Sequence, residues 1–259
     1  MSEFDIFPMC FPDNFIWEVV IPMTNKYIEG PNMTLQYLYV WMGCHFFKAG
    51  FEGIDNNKMW WFEKTIYMYE GAPFRFSDYM SGRRFQNISA AIRYTNIESP
   101  AFLDRFHDVR QMIETFNEHY GGKYVPSWLN CLDEWMHSFL DMFCPGFMCV
   151  PRKPHPFGNE YHSIADGVTE KGLEGNPIMW TLKLQEGKDC PKKPDGSWAF
   201  PSEFTGYSKT VTLMLEMTKP VHHTGKIVSM ESGFCVLVGI IAMHNFGVYG
   251  QSLIKKGMY

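Results

Sequence analysis

Apolar positions in the first half of the chain recur at three- and four-residue spacing, the period of a helix packed on one face. Residues 1–30 are rich in Phe, Pro and Trp and read as an irregular arm, with 14–27 helical. Thr34 is placed to cap a helix whose stripe is Leu35, Leu38, Trp41, Met42 and His45, where His45 reads as a core-edge residue. Residues 56–69 carry Trp60 and Trp61, an aromatic core at a turn between helices rather than a platform for stacking bases. Ser81 opens a helix with Phe85, Ile88 and Ile92 on one side. Ser99 followed by Pro100 has the form of a helix start, and Leu103, Phe106, Val109, Ile113 and Phe116 are its expected buried face. Gly121 and Gly122 end it. Residues 1–123 thus read as a helical domain.

The period changes at Tyr124, where the second expected domain, 124–259, begins. Apolar runs at 128–132, 147–150, 161–165 and 178–184 are separated by Pro, Gly and Asn, the punctuation of strands. Residues 191–201 form a Pro, Lys and Gly loop. Residues 204–217 carry Tyr207, Val211, Met214 and Met217 at helical spacing. A strand at 226–230 follows, then a helix at 234–246 that is apolar nearly all round and so expected to be buried, then a strand at 248–254. Strands in series followed by helix, strand, helix, strand is the layout of a ribonuclease H-like mixed sheet, an antiparallel meander extended by parallel strands through crossover helices. The expected class is α/β (α+β).

Composition narrows the partners. The net charge is −5, and neither half is basic, which opposes a strong sequence-independent grip on DNA. Seven scattered cysteines without a C-x-x-C spacing argue against a disulfide framework and against a zinc module. The N-terminus lacks the basic start of a signal peptide, and the longest apolar run is too short for a bilayer, so no membrane partner is expected and the chain reads as intracellular.

The chemistry concentrates in a few positions. Asp133 and Glu134 end the run at 128–132, and Glu231 ends the run at 226–230. Acids at strand ends collect at a sheet rim, where nuclease-type folds gather ligands for Mg²⁺. Should the first strand continue, Glu134 faces away from Asp133. Asp166 ends the third run; in a meander it would lie at the same sheet end as Asp133 but two strands away, about 10 Å, and so reads as a turn residue. For Glu231 two readings stand side by side: a metal ligand, or an acid favoured by the dipole of a following helix. Arg83 and Arg84 stand as a solvated helix start or as phosphate contacts.

These segments resemble the piggyBac transposases and the piggyBac transposable element-derived proteins. Leu132-Asp133-Glu134 resembles the family's first catalytic acid. Val150-Pro-Arg-Lys-Pro-His-Pro-Phe-Gly158 resembles its Pro-x-Lys-Pro-x-x-x-Gly segment. Lys219-Pro-Val-His222 and Met230-Glu231-Ser-Gly-Phe234 match the segment of the second acid. Tyr79 to Phe85 and Asp104 to Arg110 resemble its helical dimerisation and DNA-binding domain. The resemblance implies cut-and-paste transposition by two-metal phosphodiester chemistry in the nucleus, with Mg²⁺ or Mn²⁺ as cofactor and DNA as partner. It implies Asp133 and Glu231 as catalytic and metal-binding residues. Arg83, Arg84, Arg152 and Lys153 are the DNA-contact candidates.

Two departures bear on activity. The family has Asp where this chain has Glu231, one methylene longer. No Asp or Glu follows within 232–259, whereas the family's third acid lies beyond the second. The expectation is a transposase-derived chain with an incomplete catalytic sheet, weak or no metal binding and no strand cleavage. The competing expectation is a host-adopted DNA-tethering or protein-interaction module. Self-association or homodimer formation is expected in either case.

Overall fold

The computed structural model describes residues 12–50, 60–61, 75–167 and 178–254. They fall into two compact units, 13–97 and a second formed by 98–259 with the first twelve residues. Expectations for 1–11 and for most of 56–69 lie outside the described residues. Among the described residues, no helix is long and apolar enough to cross a membrane.

The unit 13–97 is helical. Asp13–Phe15, Ile16–Val20 and Ile21–Asn25 run together, with a π turn in the middle. Helix α1 (Leu35–Ala49) starts where the hydroxyl of Thr34 accepts the Tyr37 N–H, and it buries Leu38, Trp41 and Cys44. Helix α2 (Gly82–Ala91) is capped in the same way by Ser81, which accepts the Arg84 N–H, and it buries Phe85 and Ile88. Trp60 is fully buried and stacks on Phe76 at 4.6 Å, and Trp61 donates to the Met80 carbonyl. Trp60 is core, as expected, and Trp61 is half-buried beside it.

The larger unit is built on a six-stranded sheet. Strands β1 (Leu129–Ser138), β2 (Met148–Cys149), β3 (Phe157–Asp166) and β4 (Ile178–Leu184) are antiparallel to their neighbours, β3 pairing with β1, β2 and β4. Strands β5 (Ile227–Met230) and β6 (Tyr249–Ser252) are added in parallel, β5 beside β1 and β6 beside β5. Helices α4 (Lys209–Thr218) and α5 (Leu237–Asn245) make the crossovers. This is the mixed, ribonuclease H-like sheet that the order of elements indicated. Leu132, Ile164 and Val228 on the sheet pack with Val211, Met214, Leu215 and Met243 on α4 and α5 as one core.

Several expectations need correction. The helix expected from Ser99 begins only at α3 (His107–Phe116), and Leu103 is exposed rather than buried. The Asp104 carboxylate takes the Phe106 N–H and thereby holds the preceding backbone in a turn. The helix then tightens into a π turn at Asn117–Gly121, where a Cβ on Gly121 would lie 3.0 Å from the Trp180 carbonyl. The helix expected from 204 begins at Lys209, after Gly206 takes φ +87°. The helix expected from 234 begins at Leu237, after a 3₁₀ turn at Ser232–Phe234.

The remaining correction matters for the site. β1 does not stop at Leu132 but runs ten residues, because β3 pairs with it along its whole length, from Asn130↔Asp166 to Ser138↔Gly158. Asp133 is therefore in mid-strand. Asp166 lies beside Asn130, in the strand adjoining β1 rather than two strands away. Its carboxylate is buried and accepts hydrogen bonds from the Ser127 N–H and hydroxyl and from Tyr124. It pins the entry of β1. Burial and the Asp166 charge in turn push the Tyr124 phenol up to about 12.

Candidate active site

Parallel pairing of β1 with β5 sets the first geometric fact. The last matched pair is Leu132↔Met230, so Asp133 and Glu231 each stand one residue further along adjacent strands. β5 ends there: the Glu231 carbonyl accepts the Phe234 N–H of the 3₁₀ turn and the Ser252 hydroxyl. The Glu231 side chain does not cap that turn. Its Oε1 is buried and, among the described residues, accepts no hydrogen bond. Asp133 is exposed, and its Oδ1 accepts the Glu134 N–H.

The alternation of β1 sets the second. Asp133 stands opposite Ser163 on β3, and Glu134 opposite His162, so the two acids face opposite sides of the sheet. Glu134 shares its face with Leu132 and Met136. That side opens into a cleft of about 1170 Å³, walled by α3, β4, α4 and the loop around Phe200. Glu134, Glu160 and His162 project into the cleft wall, with their ligand atoms within 4.8 Å of one another.

The Pro-x-Lys-Pro segment is the hairpin loop between β2 and β3. It is closed by the Val150 N–H donating to the Pro156 carbonyl and the Lys153 N–H to the Val150 carbonyl. The loop ends at Gly158, whose φ is +148° and whose added Cβ would lie 2.0 Å from the His137 carbonyl oxygen of β1. This contact holds the hairpin over β1. Arg152 then forms an ion pair with Glu134 and stands 3.7 Å from Glu231 Oε1. Lys153 donates to the Glu134 carbonyl at 2.8 Å and lies 3.7 Å from its carboxylate. The loop thus sets two cations among the acids. Burial and the Glu134 charge raise the Glu160 carboxyl above the usual range, and burial lowers His162.

The family model of the IS4 transposases matches residues 2–259. The chain belongs to the transposase IS4 family. The transposase fold also matches a solved structure, the cryo-EM structure of a piggyBac transposase synaptic complex with hairpin DNA. The likeness has a TM-score of 0.72 and 16% sequence identity, and it covers 98% of this chain and 51% of that one. The chain thus spans about half the length of that transposase. No curated protein matches it.

Within this transposase fold, Asp133, Glu231, Arg152 and Lys153 all lie in the unit containing the sheet, and the hairpin brings Arg152 close to Glu231. Arg83 and Arg84 belong to the helical unit. Arg83 is exposed on α2; the Arg84 guanidinium lies 4.7 Å over the Tyr37 ring and donates to the Asn32 carbonyl. Glu160 and His162 were not singled out from the sequence. Their i, i+2 spacing puts them on one face of a strand, but only the register of β3 against β1 brings Glu134 to them.

Proposed function

We propose that this chain is a transposase-derived scaffold that keeps the first two acid positions of a phosphodiester-cleaving site, Asp133 and Glu231, without carrying out strand cleavage. The observation that carries this reading is Arg152, paired with Glu134 and 3.7 Å from Glu231. A guanidinium there offsets the negative charge that would otherwise attract a metal ion. Two features still suit a divalent ion: two carboxylates at the same level on adjacent strands, and a buried Glu231 oxygen without a hydrogen-bond donor. Asp133 and Glu231 would hold a Mg²⁺ ion, which when bound polarises a phosphodiester oxygen and lowers the pKa of a bound water. Two protein carboxylates are few for such an ion, so affinity is weak. DNA is the partner this reading gives the scaffold, in the nucleus, with Arg83, Arg84, Arg152 and Lys153 as phosphate contacts. Residues 1–123 would be the dimerisation and DNA-binding part, and 124–259 the catalytic-type part.

Calorimetric titration with Mg²⁺ tests the site. The expected result is weak binding that disappears in Asp133→Ala. Tight binding of two Mg²⁺ ions would overturn the proposal.

A further inference from the structure

The geometry points to a second metal site on the face of the sheet opposite Asp133: Glu134, Glu160 and His162 form a three-ligand site for Zn²⁺. Glu134 and His162 are directly opposed across β1 and β3, and Glu160 is two residues from His162 on the same face. One ligand atom from each lies within 4.8 Å of the others. Ligands bound to Zn²⁺ at about 2.0–2.2 Å stand roughly 3.4 Å apart in a tetrahedron, so the side chains need to close by up to about 1.4 Å.

The state of His162 supports a ligand role. Its side chain is only 6% exposed, and it faces Glu160 Oε1 at 3.8 Å, beyond hydrogen-bond reach. Among the described residues, no hydrogen bond reaches either ring nitrogen; the ring rests edge-on against Phe234. A buried imidazole without a hydrogen bond, beside two carboxylates, has an acceptor nitrogen available for a metal. An imidazole nitrogen and carboxylate oxygens are both ligand types that Zn²⁺ takes, whereas Mg²⁺ takes oxygen ligands. The cleft gives access and leaves room for water to complete the coordination.

The cations nearby set the affinity. Arg152 and Lys153 face Glu134 from the β2–β3 hairpin, and Lys183, opposite His162 on β4, is paired with Glu216. The Arg152 side chain is 59% exposed and can swing away, so it competes with the metal without blocking it. The site shares none of its three ligands with Asp133 or Glu231, so it can be tested apart from the function proposed above, although Arg152 stands between Glu134 and Glu231.

The test is Zn²⁺ titration of the 259-residue chain by calorimetry, with Co²⁺ as spectroscopic stand-in. The account expects one Zn²⁺ per chain. The Co²⁺ spectrum should lack the thiolate charge-transfer band, which separates this site from the free cysteines. Glu160→Gln and His162→Asn should each weaken Zn²⁺ by at least about tenfold. Asp133→Ala should leave it unchanged, and Arg152→Ala should tighten it several-fold. Glu160→Gln keeps the shape of the side chain, and thermal unfolding of each variant without metal identifies any that fails to fold. No Zn²⁺ binding, a thiolate band, or affinity lost in Asp133→Ala but kept in folded Glu160→Gln would each overturn the assignment.

Discussion

Arg110 shows how a single side chain holds the sheet-bearing unit together. It reaches Asp104 through Nε at 2.5 Å and Nη2 at 2.9 Å, and Glu186 through Nη1 at 2.5 Å, while lying 4.3 Å over the Phe200 ring. The Asp104 side chain is 1% exposed. Burial pushes its carboxyl up, but the Arg110 bonds and the Phe106 N–H outweigh this and hold it below the usual carboxylate range. Arg110→Ala leaves that carboxylate buried and unpaired, an expected cost of about 3–5 kcal/mol. Since the folded pKa of Asp104 is lowered, its contribution is present above the ordinary value of 3.8 and is lost as pH falls through the folded value. Urea unfolding at pH 7 and at ~pH 3 checks both. Asp104→Asn should be less stable than the parent at neutral pH, and the gap should narrow in acid. A gap independent of pH would show that the charge of Asp104 is not what stabilises. None of this was legible in the sequence: Asp104 and Arg110 stood out only as part of a family segment, and their partner Glu186 lies far along the chain.

At the scale of elements, the hairpin at 150–158 is the most specific motif, and its glycine has a physical reason. At φ +148° and with the His137 carbonyl 2.0 Å from an added Cβ, Gly158 cannot carry a side chain unless β3 moves off β1. Gly158→Ala is expected to cost about 2–4 kcal/mol. It should also loosen the loop that carries Arg152 and Lys153. Amide hydrogen exchange checks this: protection should fall at 134–138 and 157–161, while α1 and α2 stay unchanged. Unaltered protection along β1 would rule out the clasp. Most elements could be read from spacing: Thr34 and Ser81 cap where expected, and the strands follow the sequence of runs, although β3 pairs directly with β1 instead of lying two strands away. The length of β1 could not, because Glu134, Trp135 and Met136 continue the strand only through pairing with β3. The same long-range register separates Asp133 from Glu134, and it makes the Glu134, Glu160 and His162 cluster invisible to a reading of local motifs.

At the scale of the molecule, apolar surface is unevenly covered. Helix α5 is apolar on nearly every side; Ala242 and Met243 are buried, but Leu237, Val238 and Ile241 are exposed. Beside it, β6 is the terminal strand of the described sheet, followed by exposed Leu253 and Ile254. An exposed apolar strip next to an unpaired strand edge favours association. Size-exclusion chromatography with light scattering should show species larger than the monomer, and Ile241→Lys should shift them toward monomer. A monomer at all concentrations would contradict this.

The central claim is that Asp133 and Glu231 mark a transposase site that does not cut DNA in this chain. The most direct measurement is incubation of the chain with duplex DNA carrying terminal inverted repeats, in Mg²⁺ and in Mn²⁺, beside an Asp133→Ala control. The account predicts no nicking or strand joining above the control with either ion. Cleavage by the chain that is absent in Asp133→Ala would contradict it.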